Sequence, residues 1–275
     1  MSQEMRMSAK QLAARARSHA ANMVYAANSS HIGGCFSMAD LLAVLYGDVL
    51  NHKPHDPLWP ARDRVILSKG HSTAVLYAIL AEMDYFPVHE LEQYGKDGSR
   101  FLTHVSHKVP GVEFSTGSLG HGLPFGCGKA LAAKRQGELW RTYVVLSDGE
   151  LDEGSNWEAI LFAGHHRLGR LTAIIDYNKI QSFGSVADVL DLHPLADKFR
   201  AFRWEVAEID GHDTSQIREA LLVARDPDAP PLAVVAHTVK GKGVDFMEHQ
   251  LKYHYSPPRT AEQLSEVLRQ LGRGE

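Results

Sequence analysis

Cysteine is nearly absent from the 275-residue chain: only Cys35 and Cys127 occur, and neither belongs to a Cys-X-X-Cys pair. That scarcity argues against a disulfide framework and for a reducing compartment, the cytoplasm. Nowhere do eighteen apolar residues run together, and the N-terminus lacks the continuous apolar stretch of a secretory leader, so no membrane span is expected. Positive charge is also in deficit. The 29 Lys and Arg are outnumbered by 33 Asp and Glu and are scattered along the chain, which removes the electrostatic footprint that nucleic acid or an anionic membrane would require. No repeat, low-complexity tract or Ser/Gly linker divides the sequence. A single domain covering residues 1–275 is therefore expected.

The buried elements announce themselves by pattern. Residues 8–28 read as an amphipathic helix. Ser37 followed by Asp40 gives an N-cap signal for a helix from Met38 to Leu50. Val65-Ile66-Leu67 is a short apolar run that breaks at Ser68-Lys69-Gly70-His71 before a helix through Glu82. A glycine-rich segment, STGSLGHGLPFGCG (115–128), leads into a helix through Arg135. Three further runs, Thr142–Leu146, Thr172–Asp176 and Leu232–Ala236, are continuously apolar, as strands buried on both faces should be. Between the first two lies a helix over Ser155–Leu168, with Ser155 and Glu158 spaced as a capping box. Strands alternating with helices predict an α/β fold: a doubly wound, mainly parallel sheet flanked by helices.

Ligands of such sheets sit outside the carboxyl ends of the strands. Two segments there carry chemistry: Ser147-Asp148-Gly149-Glu150 and Asp176-Tyr177-Asn178-Lys179-Ile180. A carboxylate, an amide oxygen and a backbone carbonyl suit a hard cation, Mg²⁺ or Ca²⁺. An Asp-Gly pair alone is most often a turn; an Asn thirty positions on, after a second buried strand, favours a ligand site. The glycine-rich segment opens a helix, where free N–H groups favour phosphate. It is not a P-loop, since no Gly-Lys-Ser/Thr follows, and it is not placed directly after a strand as a dinucleotide fingerprint would be. Asp148 beside a phosphate would be repelled by roughly 4 kcal/mol per charge pair in near-surface conditions. A bridging dication reverses that sign, so the pattern implies a metal-bridged diphosphate.

These residues resemble those of the thiamine-diphosphate enzymes of the transketolase type. The segment 147–159 through 174–184 is similar to that family's GDG…N cofactor signature. Collinear similarity runs through SSHIGGCFSMADLLAVLY (29–46), RDRVILSKGHSTAVLYA (62–78), PGVEFSTGSLGHGL (110–123), VAEIDGHD (206–213) and VVAHTVKGKGVDFME (234–248). The resemblance is to the N-terminal part of a transketolase. It implies Asp148, Asn178 and the Ile180 carbonyl as metal ligands, and His71, Gly117, Ser118, Leu119, Gly149, Asn178 and His254 as contacts to thiamine diphosphate. It places His31, His104 and His254 along the substrate channel as proton-transfer groups. Glu153 and Glu158 match carboxylates that couple paired active sites across a dimer. Three departures stand out: Ser147 for the first glycine of GDG, His121 where Gln is usual, and Tyr253-His254-Tyr255 where Trp or Ser, His and Gly are common.

The activity implied is transfer of a two-carbon ketol unit from a ketose, phosphorylated by expectation, to an aldose. In the family, a glutamate from a second domain activates the cofactor, and that domain is expected on a separate C-terminal subunit, with self-association into a heterotetramer. Alternatives are the α chain of a 2-oxo-acid dehydrogenase, a 1-deoxyxylulose-phosphate-synthase-like enzyme, and a non-catalytic paralogue. The KGH (69–71), TGSLGHGL (116–123) and GKG (241–243) stretches favour transketolase.

Overall fold

In a computed structural model of the chain, residues 7–272 are described. The strands, in chain order, are β1 (Arg64–Leu67), β2 (Thr142–Ser147), β3 (Leu171–Tyr177), β4 (Ile180–Gln181), β5 (Gly184–Ser185), β6 (Glu205–Asp210) and β7 (Leu232–His237). Five of them form one sheet of order β1-β2-β3-β7-β6, every pairing parallel. β4 and β5 make a small antiparallel hairpin beyond the end of β3.

Alternate side chains of a strand point to opposite faces, and the core divides accordingly. Leu67, Tyr143, Val145, Ile174 and Val234 pack into one apolar cluster with the helices α1 (Ala9–Ala26), α2 (Ile32–Ser37), α3 (Ala39–Val44) and α4 (Thr73–Glu82). Ile66, Val144, Leu146, Ala173, Ile175 and Val235 enter a second cluster with α5 (Gly122–Gln136) and α6 (Gly154–His165). Two dry faces explain why the central strands are apolar throughout. The short α7 (Val186–Val189) and α8 (Leu195–Ala201) follow the hairpin, α9 (Thr214–Leu222) joins β6 to β7, and α10 (Ala261–Leu271) packs on α1.

The expected doubly wound sheet is present, with three local differences. The helix assigned to 38–50 starts earlier, as α2 and α3, and ends in a π-turn over Leu45–Val49. Ser37 is not its N-cap: the fully buried Ser37 hydroxyl donates to Asp176 Oδ2 at 2.6 Å, so an interior acceptor takes the group that a capping reading assigned to the backbone. Ser155 and Glu158 form no capping box. α6 begins at Gly154 after Glu153, and the Ser155 hydroxyl donates to the Gly120 carbonyl at 2.7 Å. β6 was not foreseen as a strand because it is an edge strand. Its exposed Glu205, Glu208 and Asp210 break the apolar run and guard an open edge.

Register brings the chemistry together. Ser147 pairs with Asp176, and Tyr177 pairs with His237. The loops that follow β2, β3 and β7 therefore open at one level of the sheet, and they carry Asp148, Asn178 and Lys240.

Candidate active site

A cleft at the carboxyl ends of these strands is lined by His31, His71, Leu119, Asp148, Gly149, Asn178, Ile180 and His254, together with Lys69 and Lys240. Asp148 is 1% exposed. Its Oδ1 accepts the Gly149 N–H at 2.8 Å, and its Oδ2 accepts the Lys179 N–H at 2.5 Å. The second bond ties the carboxylate to the Asn178–Ile180 loop, so Asp148 and Asn178 face the same space. Neither carboxylate oxygen makes an ion pair among the described residues, and burial, followed by repulsion from Asp176, pushes the Asp148 pKa up to about 6. Lys240 in the same cleft offsets part of that charge at a distance, and a cation bound directly to the carboxylate would offset the rest.

Gly149 and Gln181 show how tightly the two loops fit. A β-carbon on Gly149 would stand 2.7 Å from Gln181 Cβ. Ser147, by contrast, keeps an extended strand conformation that any residue can adopt, so its replacement of glycine introduces no strain.

Beneath the cleft, fully buried Asp176 accepts hydrogen bonds from Ser37, Lys69 Nζ, Thr238 Oγ1 and, at 3.3 Å, Asn178 Nδ2. Burial raises its pKa, but Lys69 outweighs that and holds it below the usual carboxylate range. Asn178 is thereby oriented: its amide nitrogen is spent on Asp176, while Oδ1 accepts the Ile180 N–H at 3.2 Å. Lys240 Nζ donates to the Ile180 carbonyl at 2.7 Å and to His254 Nδ1 at 2.8 Å. Burial, followed by Lys69, lowers the Lys240 pKa to about 8.

Three imidazoles crowd the upper wall. The His31 ring centroid lies 4.7 Å from that of His71 and 5.1 Å from that of His254. Burial is the main cause lowering all three pKa values, to about 4 for His31, to about 3 for His254, and well below the ordinary value for His71. At neutral pH the rings are uncharged, each able to donate at one nitrogen and accept at the other. Because His254 Nδ1 accepts from Lys240, its Nε2 carries the proton, facing Ser182 Oγ at 3.3 Å.

The remaining sequence-derived residues sit outside this cleft. His104 is exposed, its centroid 6.3 Å from His31, and lines an alcove on the far side of that ring. Gly117 and Ser118 are exposed on the turn before α5, and only Leu119 of that turn reaches the cleft wall. Glu153 and Glu158 lie exposed at the start of α6, and His121 is exposed at the N-cap of α5.

Sequence reasoning quoted Lys69, Lys240, Asp176 and Glu150 within its motifs but gave none of them a role. Lys69 lies two residues past β1 and Lys240 three past β7, in the loops to which the strand-end rule points. Glu150 is fully buried. It accepts from the Ser68 hydroxyl, from Gly120 N–H at 3.0 Å and from Ser147 N–H at 3.3 Å, and so clamps three loops.

Residues 8–274 match the family described as transketolase, thiamine diphosphate binding domain. The chain is 42% identical over 225 residues to the 6-deoxy-6-sulfo-D-fructose transketolase subunit SqwG of Clostridium sp. (strain MSTE9), covering 82% of each chain. It is 43% identical over 230 residues to one subunit of the apulose-4-phosphate transketolase of Actinobacillus succinogenes, covering 83% of each. Among solved structures, the transketolase of Campylobacter jejuni superposes with a TM-score of 0.89 at 32% identity, covering 96% of this chain and 42% of that one. The chain thus spans less than half the length of that transketolase. The match over nearly its whole length, on a fold with the site at its expected edge, places the chain in the transketolase family as a thiamine diphosphate-binding domain.

Proposed function

We propose that the chain is the cofactor-holding subunit of a two-subunit transketolase, which moves a two-carbon ketol unit from a ketose, most simply a sugar phosphate, to an aldose. The observation that carries this reading is Asp148: a buried carboxylate with no ion pair among the described residues, fastened to the Asn178–Ile180 loop beside three neutral imidazoles. Its donor set is all oxygen. Asp148, Asn178 Oδ1 and the Ile180 carbonyl would hold Mg²⁺, with Ca²⁺ as a substitute. Lys69, Lys240, His71, Leu119 and Gly149 line the cleft and would face the diphosphate, with Gly117 and Ser118 on the exposed turn that leads to Leu119.

Thiamine diphosphate, when bound, supplies the electron sink for carbon–carbon cleavage. The chain's own contribution is binding and proton handling. Neutral His31 and His254 can each donate a hydrogen bond to a sugar hydroxyl at one ring nitrogen and accept one at the other, and His104 would reach the sugar from the alcove side. His254 presents Nε2–H because Lys240 fixes its tautomer.

The activating glutamate is assigned to a separate C-terminal subunit, supported by the subunit names of the similar proteins. Self-association into a heterotetramer is supported by α6, which leaves Leu161 57% and Phe162 39% exposed near Glu153 and Glu158. An adjacent exposed apolar pair beside Glu158 suits contact with a second copy, and across that contact the two carboxylates would couple paired sites. The two buried free thiols, Cys35 and Cys127, fit a cytoplasmic enzyme.

The test is reconstitution. Ketol transfer is assayed, with thiamine diphosphate and Mg²⁺ present, for the chain, for its complementary subunit, and for their mixture. Turnover should require the mixture. Robust transfer by the chain alone would refute the split site.

A further inference from the structure

His31 is shared by two spaces. On one side lies the cofactor cleft; on the other is an alcove of about 350 Å³ whose lining includes Asn28, Ser30, Thr103, His104 and Tyr255. Tyr255 stands between them. Its ring centroid is 5.5 Å from His31 and 4.6 Å from His254, tilted at 60° to both, yet the side chain is 53% exposed. A large ring held half in solvent against two imidazoles is shaping an opening and burying little.

The backbone that carries the ring is also held in place. His254 and Tyr255 end a short 3₁₀ turn over Leu251–His254, and the Ser256 N–H closes back on the Lys252 carbonyl at 3.0 Å. The His31 N–H donates to the His254 carbonyl at 2.9 Å, locking the strap to the imidazole that Tyr255 covers. Pro257 and Pro258 follow and restrict the backbone beyond it. A wall selects by shape only if its position is set, and here the backbone is fixed by these contacts while the ring itself rests against His31 and His254.

We propose that Tyr255 is a specificity-determining residue: its ring narrows the passage beside His31 and His254 and so selects substrates unbranched at the carbon next to the reacting carbonyl. This rests on the ketol-transfer reading above and names a substrate feature for that site. Besides Ala27 and Pro257, the alcove lining around the ring offers hydroxyl, amide and imidazole groups, and among the described residues no Lys or Arg lines it. A slender hydroxylated chain can hydrogen-bond there while its C–H groups lie against the ring, whereas a branch would meet the ring edge. One carbon-sized group in a shaped pocket discriminates by roughly 10- to 200-fold in kcat/KM.

The experiment uses the complex with the complementary subunit, hydroxypyruvate as fixed donor, and two acceptors, glyceraldehyde and 2-C-methylglyceraldehyde. Wild type should prefer the unbranched acceptor by tenfold or more. Tyr255→Gly should shift the ratio of kcat/KM values at least tenfold toward the branched one, through KM of that acceptor. Tyr255→Phe keeps the ring and should keep the wild-type ratio. A ratio unchanged within twofold in Tyr255→Gly overturns the proposal while leaving ketol transfer intact. So does a Tyr255→Phe ratio that matches Tyr255→Gly, since the hydroxyl and not the wall would then be selecting. A wild-type complex with no transfer to either acceptor overturns the parent reading and this one with it.

Discussion

Replacing Asp148 by Asn should separate the energetics of the empty site from those of the filled one. Burial and Asp176 raise the Asp148 pKa from 3.8 to about 6. A rise of that size means that keeping the group ionised in the folded protein costs about 3 kcal/mol. The sign follows from the direction. Between those two pH values the folded chain binds more protons than the unfolded one, so the stability of the metal-free protein falls as pH rises from about 4 to 6. The amide removes this penalty and keeps an acceptor for Gly149 N–H, but it loses the charged acceptor for Lys179 N–H, a bond worth roughly 1.5–3 kcal/mol. Metal-free Asp148→Asn should therefore be no less stable than wild type at pH 7.5, and its acid-side slope should flatten. With Mg²⁺ and thiamine diphosphate at about 100 times Kd, wild type should gain about 2.7 kcal/mol, or roughly 5–10 °C in Tm for a chain of this size. The variant should gain almost nothing. Thermal melts across pH, with and without ligands, read both halves. An Asp148→Asn protein that keeps the full metal-dependent shift would refute the assignment.

Gly120 should tolerate no side chain. Its φ is +81° and an added β-carbon would collide with Ser155 Oγ, so Gly120→Ala should cost more than about 1 kcal/mol and weaken cofactor binding through the Glu150 clamp, measured by melting and titration calorimetry. Asp40 behaves oppositely to Asp148. Burial raises its pKa, but His212 and Arg17 outweigh that and hold it down to about 2, so its contribution is present above pH 4 and is lost as pH falls toward 2. Asp40→Asn should flatten that part of the acid-unfolding curve. It should also lower stability at pH 7 by about 3–5 kcal/mol by leaving buried Arg17 unpaired.

The sequence made the sheet legible because burial on both faces leaves an unbroken apolar run, and β2, β3 and β7 each show one. β6 was hidden by the charges that protect an edge. The cleft was legible where one rule sufficed: Asp148 and Asn178 follow buried strands directly. Capping signals misled because they assume that a Ser hydroxyl serves its own helix. Ser37 serves Asp176, 139 positions away, and Ser155 serves Gly120. Pairings of that range depend on three-dimensional packing, which local spacing does not encode. The role of Glu150 was missed for the same reason, since the Ser68 and Gly120 groups around it come from loops far apart in sequence.

Lys240 offers the sharpest remaining test, because it occupies a position that two cations cannot share comfortably. Its ammonium rests on the Ile180 carbonyl, one of the three oxygens assigned to the metal, and on His254. Lys69 nearby already disfavours its charge, second only to burial. A dication arriving alone meets that ammonium and is opposed by it. Arriving with a diphosphate, it brings the anion toward which the lysine can turn. Removing the charge should therefore act in opposite directions on the two ligands. Lys240→Met should bind Mn²⁺, used as a paramagnetic stand-in for Mg²⁺, more tightly than wild type when no diphosphate is present. The same variant should bind thiamine diphosphate at saturating metal more weakly, by tenfold or more, as expected when a buried charge-assisted contact worth about 1.5–3 kcal/mol is lost. Metal titrations followed by paramagnetic relaxation and cofactor titrations by calorimetry would show the crossing. If both affinities move together, the lysine is a scaffold element and the exchange does not occur.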